Sequence, residues 1–449
     1  MRRLLPLLLL ALFATAPLSA ATPALRQNVV LVSIDGLSSE LYLRADELGL
    51  KIPHLRRLIR EGSHAQGVES VMPSLTFPAH VTLITGVGPL RHGVIANGLF
   101  DPGYLRGAGP YTFYEDIKSR TLFDAVAERG GASGAVWWPV TMAAPPIAHN
   151  LPDLGIEDVL HARLVLHLSS PDVRALIPSP ETIVGMGGSD ELDGLRARLG
   201  IEFIRRQLPL VAIHFIELDT AAHAHGPRSA EALAALEKTD GLLGEILEAV
   251  RAAGTEDRTT VAVVSDHGFL PVHTEVRAGA VFATLGLLET GADGKLTKWL
   301  AYPWGVGGSL AVYLHPDAPE GTAARLDAVL ALLESRPEYG VHRLYRGEEL
   351  ERLGGFPGAY AVLDAAEGFF FSNNLASPGV LPARLRGVHG QVPTRPGLSA
   401  GLVIRGPGIQ AGKNIGNIRL VDVAPTLARI LGVELGSVEG RVLEEIFIK

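Results

Sequence analysis

Apolar, β-branched runs recur along the chain, and each ends in a polar or glycine-rich corner. Near-continuous apolar strands of this length are typical of a parallel sheet that is covered on both faces. In such sheets ligands bind outside the carboxyl ends of the strands, so acidic corners at these ends predict a common site. The three clearest runs and their corners are 28–34 before Asp35-Gly36, 211–216 shortly before Asp219, and 260–264 before Ser265-Asp266-His267-Gly268.

Alanine- and leucine-rich segments with helical spacing lie between these runs. The clearest spans residues 230–253, where the larger apolar side chains fall on one side of a helix. Strands that alternate with such helices predict an α/β fold with a doubly wound, mostly parallel sheet and helices on both faces. The apolar residues of this segment are Leu233, Leu236, Leu243, Ile246 and Val250.

Two stretches interrupt the alternation of strands and helices. Residues from about 101 to 132 are rich in glycine, proline and tyrosine, and we predict loops near the site there. The segment at about 275–385 mixes glycine-rich turns with short apolar runs, and we predict that it forms an inserted cap. Residues 22–449 as a whole are then expected to form one catalytic domain that carries this insertion.

The amino terminus has the pattern of a secretory signal peptide. A basic start, Met1-Arg2-Arg3, precedes an apolar stretch from Leu4 to about Leu18 and then small residues. The stretch is shorter than the roughly 20 residues of a membrane span, and prolines interrupt it. We therefore expect a signal peptide over residues 1–21, no membrane anchor after its cleavage, and a periplasmic or secreted protein.

Composition narrows the possible chemistry. The chain has 449 residues, 47% hydrophobic and 20% charged, so it can bury a large core. A formal net charge of −8 argues against a nucleic-acid platform. The lack of cysteine excludes disulfides, thiolate metal sites and cysteine nucleophiles, so any metal must be held by nitrogen and oxygen.

The sequence Asp219-Thr-Ala-Ala-His223 places a carboxylate and an imidazole four residues apart. In a helix the two would face the same way, and both are ordinary zinc ligands. An N-cap or a surface pair explains the same spacing. His225 is a rival ligand, and the spacing by itself does not choose between the two histidines.

Two further segments offer candidate ligands. Asp266 and His267 are adjacent after a strand, so both can ligate one ion only at a turn, and Gly268 would supply the backbone freedom for it. A structural Asp–His turn is the alternative. The segment Gly387-Val-His389-Gly390 places a third histidine between glycines, and alone it carries little information.

A proline-bracketed segment, Pro73-Ser-Leu-Thr76-Phe77-Pro78-Ala-His80, carries hydroxyl groups and is followed by an apolar run. This pattern predicts a loop that leads into a helix. The amino terminus of a helix favours an anion through its unpaired N–H groups and its dipole. A hydroxyl at this position can also be a simple N-cap.

In their order along the chain, the segments resemble the alkaline phosphatase superfamily, and most closely its nucleotide pyrophosphatase/phosphodiesterase branch. That order is a strand ending at Asp35, the hydroxyl segment, Asp219 to His223, Asp266-His267-Gly268 and Gly387 to Gly390. The resemblance runs from about Asn28 to Leu443 and is weakest across the predicted cap. It implies two Zn²⁺ per chain, a nucleophilic Thr76 that also bridges toward the first metal, and Asn97 as an amide that holds a phosphoryl oxygen. The implied ligands are Asp35, Asp266 and His267 for one ion, and Asp219, His223 and His389 for the other.

The implied activity is hydrolysis of a small phosphate ester such as a nucleotide through a covalent phosphothreonine. Phe77 could stack on a base or pack a lipid-like group, or simply belong to the core. Because no arginine stands out for clasping a doubly charged monoester, diesters are favoured. A phosphomonoesterase or a phosphonoacetate-type hydrolase remains an alternative, as does a non-catalytic zinc-binding protein. The sequence makes no prediction of the oligomeric state.

Several positions depart from the family pattern or match it without an assigned role in catalysis. His214 stands where tyrosine is frequent, Ala222 precedes the metal histidine where glycine is usual, and Gln391 replaces a common aromatic residue. None of these changes removes a ligand, but they bear on the substrate. We assign Trp137-Trp138-Pro139 to packing and interpret Asp422 as a helix cap.

Overall fold

The computed structural model describes residues 25, 27–102, 109–156, 158–186, 189–292 and 294–449. The predicted signal peptide, residues 1–21, lies outside the described residues. Within the described ranges, no helix combines the length and the apolar character that crossing a membrane requires.

A twisted central sheet organises the described part of the chain. The five strands from Thr259–Val264 to His149–Leu151 in the order below run parallel, whereas Leu402–Arg405 pairs antiparallel with Thr259–Val264. The prediction of a mostly parallel sheet is therefore confirmed. The strand order is Lys413–Asn414, Ser63–His64, Leu402–Arg405, Thr259–Val264, Asn28–Ile34, Leu210–Phe215, Ser133–Val136, His149–Leu151.

The central strand Asn28–Ile34 shows why the fold is doubly wound. Its side chains alternate between two apolar clusters, with Val30 and Val32 in one and Val29 and Leu31 in the other. The first cluster includes helices Ser189–Arg205 and Ala230–Ala252, and the second includes Thr76–Thr85 and Val423–Leu431. Helices on both faces account for the complete burial of the strand.

Helices connect the strands of the central sheet, as the spacing of apolar residues predicts. The helix expected over 230–253 is present as Ala230–Ala252, and Ser229 caps it by accepting the N–H of Ala232. The α-helices of the described chain are Ser39–Leu43, Pro53–Glu61, Thr76–Thr85, Pro89–His92, Leu122–Glu128, Val159–Leu168, Pro171–Arg174, Pro180–Val184, Ser189–Arg205, Glu217–His225, Ala230–Ala252, Ala278–Thr284, Thr322–Ser335, Gly347–Leu353 and Val423–Leu431.

The prediction of loops over residues 101–132 is wrong in part. Residues Leu122–Glu128 form a helix that begins with a capping box, in which the Thr121 and Asp124 side chains each accept the backbone N–H of the other residue. Leu122 and Phe123 of this helix are fully buried. The glycine- and proline-rich composition of the segment predicted loops, but tertiary packing stabilises a short helix within it.

The segment predicted as a cap contains a separate antiparallel sheet. Helix Thr322–Ser335 packs on one face of this sheet, against the side chains of Leu310 and Leu363. The opposite face contributes to a cluster that includes Leu75, directly before Thr76. The order of its strands is Ala301–Gly305, Ser309–Leu314, Ala361–Ala365, Val341–Tyr345.

Smaller strands complete the described elements. Strand Leu270–Val276 begins shortly after Asp266 and His267 and lies outside the central sheet. It pairs with Gly387–Val388, the strand directly before His389. The other strands are Gly368–Phe371 and Val380–Pro382 beside Leu270–Val276, Leu288–Thr290 with Leu296–Trp299, and Gly67–Glu69 with Asn417–Arg419.

Candidate active site

Three aspartates meet at the carboxyl edge of the central sheet, as the sequence predicts. Asp35 follows the middle strand, and Asp266 and Asp219 follow its two neighbours. The Asp35 N–H donates to the Phe215 carbonyl at 2.9 Å, and the Gly36 N–H donates to Asp266 Oδ1 at 3.1 Å. Parallel pairing of the three strands therefore brings residues far apart in sequence into one site.

Asp219, His223 and His389 form one group of close ligand atoms. Helix Glu217–His225 places Asp219 and His223 one turn apart, with His223 Nε2 at 3.5 Å from Asp219 Oδ1. His389 Nε2 lies 3.7 Å from the same oxygen. His225, by contrast, is exposed at the end of the helix. The structure thus brings His223, and not His225, to Asp219.

Hydrogen bonds to Nδ1 hold both histidines of this group. His223 Nδ1–H donates to the Gly387 carbonyl and His389 Nδ1–H donates to the Ser74 carbonyl, each at 2.9 Å. Because a neutral imidazole carries one proton, Nε2 of each ring is left with a free lone pair directed at Asp219. This arrangement is typical of histidines that ligate metals.

The second predicted set, Asp35, Asp266 and His267, is brought together in part. His267 Nε2 lies 3.1 Å from Asp266 Oδ2 and 3.4 Å from Asp35 Oδ1. The group of close ligand atoms that contains this histidine joins it to Asp35 and Asp219 rather than to Asp266. Asp219 is therefore shared by both groups, which the sequence did not reveal.

The explanation proposed for Gly268 is wrong, although the turn exists. Among the described glycines, Gly268 is not one with a left-handed φ. A Cβ at this position would lie 2.1 Å from the Gly397 carbonyl oxygen, and the Gly268 N–H donates to the Leu398 carbonyl at 2.9 Å. Glycine is needed here because another backbone segment passes in contact with it.

The electrostatics of the site favour a bound cation. Burial raises the pKa of Asp35 well above its usual value, and the neighbouring carboxylates of Asp266 and Asp219 raise it further. Burial also raises the pKa of Asp219. For Asp266 burial acts in the same direction, but His267 and His80 outweigh it and lower the pKa to about 2. Like charges this close ionise together only when a cation compensates them.

Buried polar atoms identify where such a cation would fit. Among the described residues, four atoms of this site are buried without a hydrogen-bond partner. Unsatisfied buried acceptors are rare because desolvation penalises them. Nitrogen and oxygen donors in this arrangement fit divalent zinc. The four atoms are Asp35 Oδ1, Asp219 Oδ1, Asp266 Oδ2 and His267 Nε2.

Thr76 is the first residue of helix Thr76–Thr85, and its side chain is partly exposed. Leu75 occupies the N-cap position, so the alternative that Thr76 caps this helix is wrong. Ser74, the other hydroxyl of the segment, is fully buried. Only Thr76 of these two presents its hydroxyl at an open helix amino terminus, where an anion is favoured.

Asn97 and Phe77 lie against the start of the same helix. The Phe77 N–H donates to Asn97 Oδ1 at 2.9 Å, so the amide nitrogen of Asn97 remains available as a donor. The Phe77 ring is half-buried and packs against Val81, Val94 and Val140. Core packing therefore accounts for part of this ring and leaves the rest exposed.

Three residues that support the site were not assigned from the sequence. The His80 ring is buried beneath Thr76, where Nδ1–H donates to the Thr76 carbonyl at 2.8 Å. His214 Nε2 lies 3.0 Å from Asp35 Oδ2. Ser74 Oγ accepts the Gly390 N–H at 3.2 Å and donates to the Gln391 carbonyl at 2.8 Å. Four-residue spacing from Thr76 could have indicated His80; nothing local indicated the other two.

The remaining assignments are partly confirmed. Trp137 and Trp138 are buried, in agreement with a packing role. Asp422 precedes helix Val423–Leu431, but its carboxylate accepts the backbone N–H groups of Arg419 and Arg441, each at 2.9 Å. Asp422 therefore does not cap this helix, but by accepting the Arg419 N–H it caps the 3-10 helix Leu420–Asp422 directly before it, so the interpretation as a helix cap is confirmed for that shorter helix.

The sheet topology and the acidic edge define an alkaline-phosphatase-like α/β protein. The family model described as type I phosphodiesterase/nucleotide pyrophosphatase matches residues 29–354, and the chain belongs to that family. Members of the family are hydrolases that act on phosphodiester or pyrophosphate bonds.

Curated relatives are similar over part of their length. The chain is 25% identical over 260 residues to rat ectonucleotide pyrophosphatase/phosphodiesterase family member 1, which covers 53% of this chain and 24% of that protein. It is 24% identical over 277 residues to human bis(5'-adenosyl)-triphosphatase ENPP4, covering 59% of this chain and 52% of that protein. The chain thus matches about half or less of these relatives.

Solved structures share the fold at low identity. Murine ectonucleotide pyrophosphatase/phosphodiesterase 5 superimposes with a TM-score of 0.66 at 20% identity, covering 92% of this chain and 97% of that one. An inactive threonine-to-alanine variant of the murine protein, in complex with AMP, superimposes with a TM-score of 0.67 at 19% identity, covering 94% and 100%.

Proposed function

We propose that the chain is an exported phosphodiesterase of the nucleotide pyrophosphatase type, with two zinc ions and a covalent phosphothreonine at Thr76. The observation that carries the proposal is the position of Thr76 beside the carboxylates of Asp35, Asp219 and Asp266. His389 Nδ1–H donates to Ser74, two residues before Thr76, while His389 Nε2 faces Asp219. On the other side, His80 Nδ1 contacts the Thr76 carbonyl and lies 3.7 Å from Asp266 Oδ2.

The proposed metal ligands are the six side chains that the family resemblance implies. Asp35, Asp266 and His267 would hold one ion, and Asp219, His223 and His389 would hold the other. Buried oxygens without partners among the described residues support this assignment. When bound, the ions would supply positive charge that stabilises the entering and leaving oxygens of an in-line displacement.

Thr76 Oγ1 is the proposed nucleophile. Its oxygen loses its proton to solvent and forms a bond to phosphorus as the bond to the leaving oxygen breaks, and the leaving group departs with a proton from solvent. Water then attacks phosphorus and breaks the bond to Thr76 Oγ1, one proton of the water returns to this oxygen, and the second product is released. The Asn97 amide nitrogen and the Thr76 N–H would hold a non-bridging oxygen, since the Phe77 N–H is bonded to Asn97 and Pro78 has no N–H.

A diester or a nucleotide is the proposed substrate. Among the contacts between described residues, those of Thr76, Phe77 and Asn97 include no arginine that could clasp a dianion. A diester carries one negative charge and offers a second substituent to the exposed part of Phe77. The relative named bis(5'-adenosyl)-triphosphatase and the AMP complex of the murine protein support a nucleotide.

Export and the cap belong to the same proposal. A basic start and an apolar stretch support a signal peptide over residues 1–21 and a periplasmic or secreted location. Residues 22–449 would then form the catalytic domain, with about 275–385 as its cap. The apolar contact between the segment's sheet and Leu75 supports a cap placed close to the nucleophile.

Steady-state kinetics with zinc on bis-nitrophenyl phosphate and nitrophenyl phosphate test the proposal. Wild type should show the higher kcat/KM for the diester, and Thr76→Ala should lose turnover while it retains about two zinc ions per chain. Phe77→Ala should lower the diester-to-monoester ratio of kcat/KM, a ratio that cancels any common loss of folded protein.

Each alternative has its own outcome. A monoester preference of about tenfold, or about 1.4 kcal/mol in the barrier, would identify a phosphomonoesterase. Hydrolysis of phosphonoacetate in preference to both esters would identify a C–P hydrolase. Zinc binding without turnover of any of these compounds would identify a non-catalytic zinc protein, and wild-type turnover by Thr76→Ala would eliminate Thr76 as the nucleophile.

A further inference from the structure

A buried aspartate outside both ligand groups caps the helix that carries two of the proposed ligands. Helix Glu217–His225 begins after Ile216, whose side chain has no hydrogen-bond acceptor. Asp193, from helix Ser189–Arg205, supplies both of its carboxylate oxygens instead. Oδ1 accepts the Ile216 N–H at 3.1 Å and Oδ2 accepts the Glu217 N–H at 3.0 Å.

This contact bears directly on the metal ligands. Asp219 and His223 lie within the first seven residues of the nine-residue helix. A helix this short depends on its tertiary contacts, and a carboxylate at its amino terminus satisfies otherwise unpaired N–H groups and complements the dipole. The start of the helix, and therefore the direction of both side chains, depends on Asp193.

Arg196 compensates the buried charge of Asp193. Its Nη1 donates to Asp193 Oδ1, and both side chains are 1% exposed. The guanidinium carbon lies 4.5 Å from the centre of the Trp137 ring, a cation–π distance. Removal of either partner would leave an uncompensated charge in the core.

Trp137 connects this pair to the other ligand group. It has a left-handed φ of 58°, a conformation that a side chain of this size adopts only when its surroundings impose it. Its carbonyl oxygen lies 3.2 Å from His214 Nδ1, and His214 Nε2 lies 3.0 Å from Asp35 Oδ2. Contacts thus run without a gap from the cap of the Asp219 helix to Asp35.

We propose that Asp193 and Arg196 are positioning residues that hold the two metal-ligand groups in place relative to each other without touching metal or substrate. The proposal rests on the two-metal centre of the proposed function. A purely structural ion pair would stabilise the fold equally well but would leave the affinity for zinc unchanged.

Zinc competition against a chromogenic chelator, on full-length protein, separates these two roles. Asp193→Asn keeps the shape of the side chain but replaces one acceptor by a donor that faces an N–H. We expect its affinity for the more weakly held ion to fall by about ten- to a hundredfold, the loss that is typical when residues that orient metal ligands are changed. Activity should return when zinc is raised to saturation, so that the zinc requirement changes more than kcat.

Glu202→Gln is the matched control. Glu202 lies on the same helix and pairs with Arg206, but both side chains are about one-third exposed, at 34% and 29%. Its zinc affinity should equal that of wild type. Each competition is run well below the melting temperature that circular dichroism gives for the zinc-free form of that variant.

Arg196→Lys provides a second variant if Asp193→Asn does not fold. Lysine keeps the positive charge but loses the planar stack on Trp137, and zinc affinity should again fall. Zinc affinity within about twofold of wild type in a folded variant, against the tenfold or more expected, would overturn the positioning role whatever its melting temperature. Wild-type protein that binds no zinc would overturn the metal centre itself, which is a separate result.

Discussion

At the scale of single residues, the site depends on which atom of each histidine is left free. The Gly387 carbonyl occupies His223 Nδ1 and the Ser74 carbonyl occupies His389 Nδ1. Each ring is thereby oriented so that Nε2 points to Asp219. Because these acceptors are backbone carbonyls, changes of neighbouring side chains alter the site little, whereas movements of the backbone alter it directly.

The choice between two nearby histidines is a residue-scale prediction. His223 Nε2 lies 3.5 Å from Asp219 Oδ1, whereas His225 is exposed. We expect His223→Ala to lose one zinc ion and most activity, and His225→Ala to retain both ions. Elemental analysis of zinc per chain, with kcat/KM, measures this. Loss of zinc in His225→Ala alone would contradict the proposed ligand set.

At the scale of elements, a buried histidine joins helices Thr76–Thr85 and Pro89–His92. His92 Nδ1 accepts the Val94 N–H at 3.2 Å, so the neutral ring carries its proton on Nε2, 3.1 Å from Thr82 Oγ1. Burial lowers the pKa of His92 from 6.5 to about 3. Protonation of this ring therefore opposes folding.

The sign of the resulting pH dependence follows from this pKa. Between about pH 6.5 and 3 the unfolded chain binds a proton at His92 and the folded chain does not. The free energy of unfolding therefore decreases as the pH is lowered through this window, and above pH 6.5 the contribution of neutral His92 is fully present. The slope is at most about 1.4 kcal/mol per pH unit. Urea unfolding should show that the free energy of unfolding decreases less between pH 7 and pH 4.5 for His92→Gln than for wild type. Equal decreases in the two proteins would show that other groups cause the pH dependence.

The segment predicted as a cap holds the loop that carries His389. Asp364, buried in strand Ala361–Ala365, accepts the Val392 N–H at 2.9 Å and pairs with Arg395 at 2.7 Å. In the same region, the Gly308 N–H donates to the His389 carbonyl at 2.8 Å. The segment predicted as a cap is therefore part of the support of the proposed metal site.

Asp364→Asn tests this support. We expect a loss of about 3 kcal/mol in the free energy of unfolding, from breaking a buried pair, and weaker zinc retention. Asp327→Asn is the control, because Asp327 pairs with Arg346 in the same region but is 46% exposed, and it should change stability by less than about 1 kcal/mol. Zinc retention equal in both variants would show that the cap does not support the metal site.

At the scale of the whole molecule, the carboxylate cluster links metal binding to stability. The carboxylates of Asp35, Asp219 and Asp266 repel one another unless a cation compensates them. Zinc at about 1,000 times its Kd would add about 4 kcal/mol per site. We expect a chelator to lower Tm and abolish activity, and added zinc to restore both. An unchanged Tm in protein shown to be free of zinc would contradict the coupling.

The sequence predicted the central fold well because its signals are local. The strands at 28–34, 211–216 and 260–264 and the helix at 230–253 agree with the structure to within a residue. Errors arose where a distant segment decides the outcome. Helix Leu122–Glu128 is stabilised by its buried face, and Gly268 is required by the approach of Gly397.

The sequence by itself determined the class of fold and the acidic corners, because apolar periodicity and residue chemistry are local properties of the chain, and the family resemblance then indicated Thr76 as the candidate nucleophile. Only the tertiary structure decided that Asp219 belongs to both groups of close ligand atoms, that Asp193 bonds to the start of the helix that carries Asp219, and that Asp364 bonds to the loop after His389. The physical reason is that these contacts join segments tens to hundreds of residues apart. Strand order and burial decide which residues meet in these contacts, and a local sequence pattern does not predict either of them.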